Sequence, residues 1–389
     1  MRTGVIIYNN DKLKLFVIIL LLIIVTQGFS YFEWGKITSG FGMNFIISGV
    51  LFIAAVIRPK RQTENFSTLV YLLIIWPFFS IPCSLGIYGQ TIASSIHALT
   101  PNLVWSFYFV LHRFKFKETT ILKALIIYSL VMLAIMVIQQ ITYPTAYFGI
   151  LNDDAMLEKG LSENVYKREG FYRFLVHQNG YTAVPVLLFY LSLVKKKFTL
   201  DRLAIILFML IAVYLSLTRQ VVVSCIFVVL LSFLINKKQT AKIKYLILLL
   251  LFVSFVYANF DVLWGEMFQT TKENLDKDYI RFLSYSFYWD KICENIWSFF
   301  LGHGVAKSGE FLHQFTHWQY DLGLYSCDVG IIGIWFHYGL VYVILYFYSL
   351  ILMLKNRKKI PTYVMLFTIF AGLMSIMIFP FWINQYFGN

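Results

Sequence analysis

Long apolar runs dominate this sequence, each roughly 17 to 25 residues and nearly free of charge, the length that crosses a hydrocarbon core about 30 Å thick. Eleven spans are expected, at 15–32, 41–57, 68–88, 91–111, 121–142, 179–194, 203–218, 220–236, 245–260, 329–354 and 361–384. Charged residues make up 14% of the 389, against about 25% in soluble domains, which excludes a soluble globular fold. The expected class is an all-α polytopic integral membrane protein with about eleven transmembrane helices (ten to twelve). A single membrane domain, 1–389, carries two long loops, 143–178 and, between the late helices, the larger 261–328.

A formal net charge of +13 would suit a polynucleotide, so the position of each charge decides its meaning. With a cytoplasmic N-terminus, the inner connections hold 22 of the 33 basic residues and four of the twenty acids, a balance of +18. The outer side then carries 11 basic and 16 acidic residues, a balance of −5. This alternation is the positive-inside pattern, so the basic excess records topology and anionic lipid. No nucleic-acid partner is expected. The first apolar run, Leu15 to Thr26, follows a basic start but no small-residue cleavage site follows it, so it reads as an uncleaved helix. Cys83 and Cys225 fall in spans; Cys293 and Cys327 share the larger loop, as free thiols or as a disulfide.

The inner connections are short and basic, from Arg58-Pro-Lys-Arg to Lys355-Asn-Arg-Lys-Lys, and no G-x-x-x-x-G-K phosphate loop is present. The outer loops instead hold most of the acids and, at or within their edges, His177, His303, His313 and His317. Long loops in compact proteins are usually functional, which places any chemistry on the outer face. All twenty Asp and Glu residues fall outside the apolar cores, and this weighs against ion-coupled transport, which usually needs acids near the midplane.

From Leu203 to Asn236 the chain is apolar except for Thr218-Arg219-Gln220, which divides it into two helices of about 16 residues. Each reaches only about 24 Å, so Arg219 is held at or below the outer surface, as a snorkelling arginine or an anion-binding one. The first loop carries Lys167, Arg168, Arg173 and His177. Arg173 and His177, four apart, would share a helical face, and such cations can hold a diphosphate; Glu163 and Glu169 offer the plainer alternative of local ion pairs. In the second loop Arg281, Tyr285, Tyr288 and Trp289 fall on one helical face, as interfacial aromatics or sugar platforms. Leu301-Gly-His-Gly reads as a tight turn exposing His303. His313-Gln-Phe-Thr-His317 sets two imidazoles one turn apart, without the Glu or third ligand that a zinc site needs.

Taken in order, the cation-rich outer loop, Leu217-Thr-Arg219, the Arg281-headed segment, Phe300-Leu-Gly-His-Gly and Ser326-Cys-Asp-Val-Gly-Ile-Ile-Gly resemble the O-antigen polymerase and O-antigen ligase superfamily over about residues 40 to 354. The resemblance implies an inverting, metal-independent glycosyltransferase of the bacterial inner membrane with a long periplasmic loop and no cofactor. Its implied substrate is an undecaprenyl-diphosphate-linked glycan, its surroundings membrane lipids, and its candidate protein partners a chain-length regulator and a flippase. Carried over by position, Arg219, Arg281, Arg168 and Arg173 are expected at the diphosphate, and His177, Tyr285 and Trp289 at the glycan.

The proton acceptor is expected among His317, ranked first, His313, His303 and Asp328, since an acceptor hydroxyl needs a base within hydrogen-bond reach. Fixed guanidinium groups would stabilise the departing diphosphate. The chain departs from the ligase pattern, having His317-Trp where a His-Asn pair is usual, and from the R-x10-G repeats of polymerases, having Asn179 where Arg168 would require glycine. The Ser326 to Gly333 junction is more similar to a polymerase. The expectation is therefore polymerisation of lipid-linked repeat units, with ligation to lipid A core, or flipping or export of the same glycans, as alternatives, and a membrane scaffold subunit as the plainest reading.

Overall fold

The computed structural model describes residues 11–25, 65–113, 115–142, 165–168, 171–174, 179–194, 199–216, 219–235 and 279–377. The expected spans 41–57 and 245–260, most of the first long loop with His177, and residues 261–278 of the second lie outside these residues. The described chain is mainly helical. Three helices are long and apolar enough to cross a membrane, Phe66–Tyr88, Glu118–Thr142 and Ser326–Lys355, with shorter apolar helices beside them at Tyr181–Val194, Gln220–Ser232 and Thr362–Ile376.

Two corrections to the all-helical expectation come from the same segment. Val165–Arg168 and Phe171–Phe174 form a two-stranded antiparallel hairpin with Arg168 opposite Phe171 and Arg173 opposite Tyr166. Arg173 therefore lies in a strand, where four-residue spacing does not set a common face as it does in a helix.

Local chemistry sets the helix boundaries. Pro77 and Pro82 lack an amide proton, and the chain between Ile75 and Ile81 tightens into a 3-10 turn, Trp76–Ser80, before continuing as Ile81–Tyr88. Gly89, at φ 65°, ends that helix, a left-handed position that glycine adopts without steric cost. Two residues later the Thr91 side chain accepts from the Ser94 amide and starts Ile92–Leu99. The break expected near Arg219 is present, between Leu200–Leu215 and Arg219–Leu234, each of 16 residues.

The helices pack into two clusters joined by Thr362–Met377. In the first, Glu118–Thr142, Asn179–Val194, Leu200–Leu215 and Arg219–Leu234 bury Met136, Val184, Leu187 and Met209 completely against Phe370. Tyr181 meets Phe370 and Phe189 meets Tyr363, so Asn179–Val194 and Thr362–Met377 run antiparallel. In the second, Asn65–Ile75 packs on Gly330–Lys355 around Leu73, Ile334, Tyr338, Tyr342 and Tyr346. The hydroxyls of Tyr346 and Ser375 meet at 2.5 Å and tie the clusters together. One end of this bundle collects the Lys117–Asp11 ion pair, 3.2 Å and exposed, the Tyr363–Glu118 hydrogen bond, and Lys355, Arg357, Lys358 and Lys359.

The other end carries a cap. Tyr279–Cys293, Ile296–Leu301 and Gly309–Thr316 close around Tyr288, Phe311, Phe315 and Phe336, with Tyr88 stacked on Phe311 at 3.9 Å. This cap is joined to the bundle where Gly330–Lys355 breaks. Gly339, at φ 78° and ψ 168°, leaves the helical conformation, so the carbonyls of Phe336 and His337 lose their usual amide donors one turn on. The amides of His303 and Gly304 replace them, at 2.7 and 3.0 Å.

Candidate functional site

Gln90 anchors the cap to the bundle. Only 1% exposed, its amide nitrogen donates to Ser95 Oγ (3.0 Å) and the Val305 carbonyl (2.9 Å), while Oε1 accepts from the amides of Lys307 (2.7 Å) and Ser308 (3.2 Å). All four bonding positions of the side-chain amide are used. Three groups of the 305–308 loop that would otherwise lose water without compensation are thereby satisfied.

His303 is not exposed, contrary to the reading of Leu301-Gly-His-Gly as an outward turn; its accessible surface is 0%. Nε2 lies 2.9 Å from the Lys291 carbonyl and Nδ1 lies 2.9 Å from the Tyr88 hydroxyl. A carbonyl only accepts, so Nε2 carries the proton and Tyr88 donates to Nδ1. The ring also stacks on Phe336 at 4.6 Å. Both nitrogens being occupied, His303 holds the cap together and offers no free lone pair to a substrate. His337 is arranged alike: Nδ1 donates to the Gly304 carbonyl at 2.8 Å and Nε2 accepts from Ser326 at 3.1 Å.

His317 is different. It opens a π-helical turn, His317–Asp321, that continues Gly309–Thr316. In such a turn the backbone bonds skip five residues, a geometry that recurs at functional positions. Trp318, buried among Tyr88, Phe287, Phe315 and Phe336, fixes the turn from below. Above it, His317 Nδ1 lies 2.6 Å from Asp321 Oδ2, with the two side chains 51% and 67% exposed. The carboxylate selects the tautomer with the proton on Nδ1, and Nε2 has no partner among the described residues. An oriented imidazole with a solvent-facing lone pair is the arrangement a general base requires.

The remaining candidates lie on several other elements. His313 is exposed on Gly309–Thr316, and Asp328 is partly exposed on the 3-10 turn Ser326–Val329 that precedes the kinked helix. Arg281, Tyr285 and Trp289 share the Tyr279–Cys293 helix. Tyr285 is half-buried against the cap core, whereas Trp289 is 43% exposed and meets Trp335 edge-on at 5.4 Å. Tyr288 is fully buried instead, donating to the Leu324 carbonyl at 2.8 Å.

Arg219 begins Arg219–Leu234 in the other cluster. Hairpin register puts positions 168 and 173 on one face, as diagonal neighbours. The hairpin lies against Glu118–Thr142. Thr362–Met377 touches both the Arg219–Leu234 helix and the Ser326–Val329 turn, so it stands between the Arg219 element and the cap. Cys293 and Cys327 are not joined by a disulfide, and among the described residues no three His, Cys, Asp or Glu side chains gather as a metal site.

Two residues of this region went unread in the sequence. Asp321 stands at the i+4 spacing from His317 in His-Trp-Gln-Tyr-Asp, a signal that was available. Gln90 gave none, its partners in the cap lying more than 200 residues away in the chain. No protein-family model matches this sequence, and no relative among the curated proteins matches it.

Proposed function

We propose that this chain is a polytopic glycosyltransferase of the bacterial cytoplasmic membrane that polymerises polyprenyl-diphosphate-linked oligosaccharide repeat units on the outer face. The observation that carries the reading is the His317–Asp321 pair, an oriented imidazole on a π-helical turn of a cap that crowns membrane-length helices. The topology follows from charge: the bundle end with Lys117, Lys355, Arg357, Lys358 and Lys359 is cytoplasmic, and the cap, with Asp290, Glu294, Glu310, Asp321 and Asp328, faces outward. About eleven spans in all complete this arrangement.

The reaction is an inverting displacement. The acceptor hydroxyl of one repeat unit attacks the anomeric carbon of another; a carbon–oxygen bond forms as the bond to the diphosphate breaks, its electron pair leaving with the diphosphate. His317 Nε2 takes the hydroxyl proton, and Asp321 stabilises the resulting imidazolium through Nδ1–H. Arg219 and Arg281, with Arg168 and Arg173, neutralise the leaving diphosphate. Tyr285, Trp289 and His177 are the proposed glycan contacts, the first two through aromatic surface.

The test is a gel of surface polysaccharide from a strain lacking the gene, restored with the wild type or with His317→Ala. A product shortened to one repeat unit in the deletion, and a ladder restored by the wild type alone, supports the polymerase. Full-length lipid-linked polymer that never reaches lipid A core would assign ligation instead, and repeat units trapped on the cytoplasmic face would assign flipping.

A further inference from the structure

The chain between Asn295 and Lys307 does not stay on the surface of the bundle. Ile296–Leu301 packs against Trp76–Ser80, Ile81–Tyr88 and Gly330–Lys355, and the Trp335 indole donates to the Phe299 carbonyl at 2.8 Å. Beyond it, Gly302 comes so close to the kink that a Cβ there would stand 2.5 Å from the His337 carbonyl oxygen. Gly339 lies 16 residues from Lys355, about 24 Å along the helix, and the hydrocarbon core is about 30 Å thick. With Lys355 at one boundary, the loop that docks on Gly339 is about 6 Å inside the other.

We infer that residues 296–304 form a re-entrant segment that dips from the cap into the outer leaflet and lays Ile296, Trp297 and Phe300 against lipid acyl chains. Exposure divides the short helix by side. Ile296 is 63%, Trp297 65% and Phe300 41% exposed, whereas Ser298 is fully buried on the bundle side. Three large apolar side chains turned outward are costly in water, at about 25 cal/mol per Å². In lipid they are at home. The neighbouring span Phe66–Tyr88, which this helix contacts, also turns large apolar side chains outward, Ile75 being 48%, Phe79 50% and Leu85 44% exposed.

The non-helical part meets the other requirement of membrane depth, that irregular backbone be buried in protein with its polar groups satisfied. Gly302, His303, Gly304, Val305 and Ala306 are all buried. The amides of Gly302, His303 and Gly304 donate to the carbonyls of Ser298, Phe336 and His337, and the Gly304 and Val305 carbonyls accept from His337 and Gln90. Polar residues mark entry and exit, Glu294 and Asn295 before the dip and Lys307, Ser308 and Glu310 after it. The inference asks only that the chain sit in a bilayer and does not depend on the reaction proposed above.

Single cysteines report the surroundings directly. In the full chain reconstituted in phosphatidylcholine–phosphatidylglycerol vesicles, with Cys293→Ser and Cys327→Ser as background, Trp297→Cys and Glu310→Cys are each spin-labelled. Their collision rates with oxygen and with a water-soluble nickel chelate are compared. Oxygen should dominate at 297 and nickel at 310, and a membrane-impermeant maleimide should react about tenfold or more slowly at 297, where lipid disfavours the thiolate. Ile296→Cys, also at an exposed position, repeats the measurement so that the result does not rest on one variant. Nickel access at 296 and 297 equal to that at 310 would put the segment in water and overturn the inference. Access to neither reagent would mean a protein contact, such as a second copy, and would overturn lipid as the occupant.

Discussion

Gly302 and Gly339 meet back to back: a Cβ on Gly302 would stand 2.6 Å from the Gly339 amide nitrogen. Both have positive φ, 82° and 78°, and a Cβ on Gly339 would overlap the Phe300 carbonyl. The positive dihedral and the backbone overlap add, so Gly302→Ala and Gly339→Ala should each destabilise the protein by about 2 to 4 kcal/mol. Gly309 also has positive φ, 62°, but open space around it, so Gly309→Ala should cost only about 1 to 2 kcal/mol. Thermal unfolding of the three variants in detergent checks the order; equal midpoints would contradict the docking geometry.

Gln90 makes a sharper case for the join between cap and bundle. Gln90→Leu keeps the volume but leaves the Val305 carbonyl and the Lys307 and Ser308 amides without their partner. Groups left unsatisfied cost about 1 to 3 kcal/mol each, partly recovered if water enters. The expected outcome is a cap that opens, read as protease cleavage near Lys307 in the variant under conditions where the wild type resists. Wild-type resistance in Gln90→Leu would show that the bonds contribute nothing to the join.

His303 uses both ring nitrogens inside the cap, Nε2–H donating to the Lys291 carbonyl and Nδ1 accepting from the Tyr88 hydroxyl. His303→Phe keeps a ring against Phe336 but leaves both partners unsatisfied, at about 1 to 3 kcal/mol each. The expected outcome is a lower unfolding midpoint in detergent, and an unchanged midpoint would remove His303 as a tie within the cap.

An opposite effect is expected at Gln139. It is fully buried in Glu118–Thr142, on the face with Met132 and Met136, and among the described residues neither its Nε2 nor its Oε1 has a hydrogen-bond partner. Exchanging a buried amide of this kind for a hydrocarbon of similar size removes an uncompensated desolvation cost, so Gln139→Leu should stabilise by about 1 to 2 kcal/mol. A lower unfolding midpoint would contradict this account.

What the sequence made legible follows the range of the interactions. Apolar length marks the Phe66–Tyr88, Glu118–Thr142 and Ser326–Lys355 spans, because membrane thickness acts on each run by itself. The break before Arg219 and the helix headed by Arg281 are equally local. The burial of His303 is not, since it depends on Tyr88, 215 residues away, and on a kink at Gly339. Glycines read as a surface turn proved to be the contact surface of two backbones. The hairpin at Arg168 and Arg173 escaped because four-residue spacing suggests a helix only where a helix forms.

The reaction itself is tested at the His317–Asp321 pair, where the two partners should fail in different ways. His317→Ala removes the proton acceptor, and polymerisation should fall by about 100- to 10 000-fold, the usual contribution of a positioned base. Asp321→Asn keeps the imidazole but replaces the carboxylate that accepts from Nδ1–H, so activity should drop by a smaller factor and His317→Ala/Asp321→Asn should be no worse than His317→Ala alone. Both side chains are half-exposed or more, so neither variant should alter the unfolding midpoint appreciably. Arg219→Ala and Arg281→Ala, in contrast, should abolish polymer whatever the state of the base, because the leaving diphosphate loses its counter-charge. Assays with a purified lipid-linked repeat unit in proteoliposomes separate these outcomes. Wild-type rates in His317→Ala would move the proton acceptor to His313 or Asp328, and wild-type rates in both arginine variants would end the diphosphate reading.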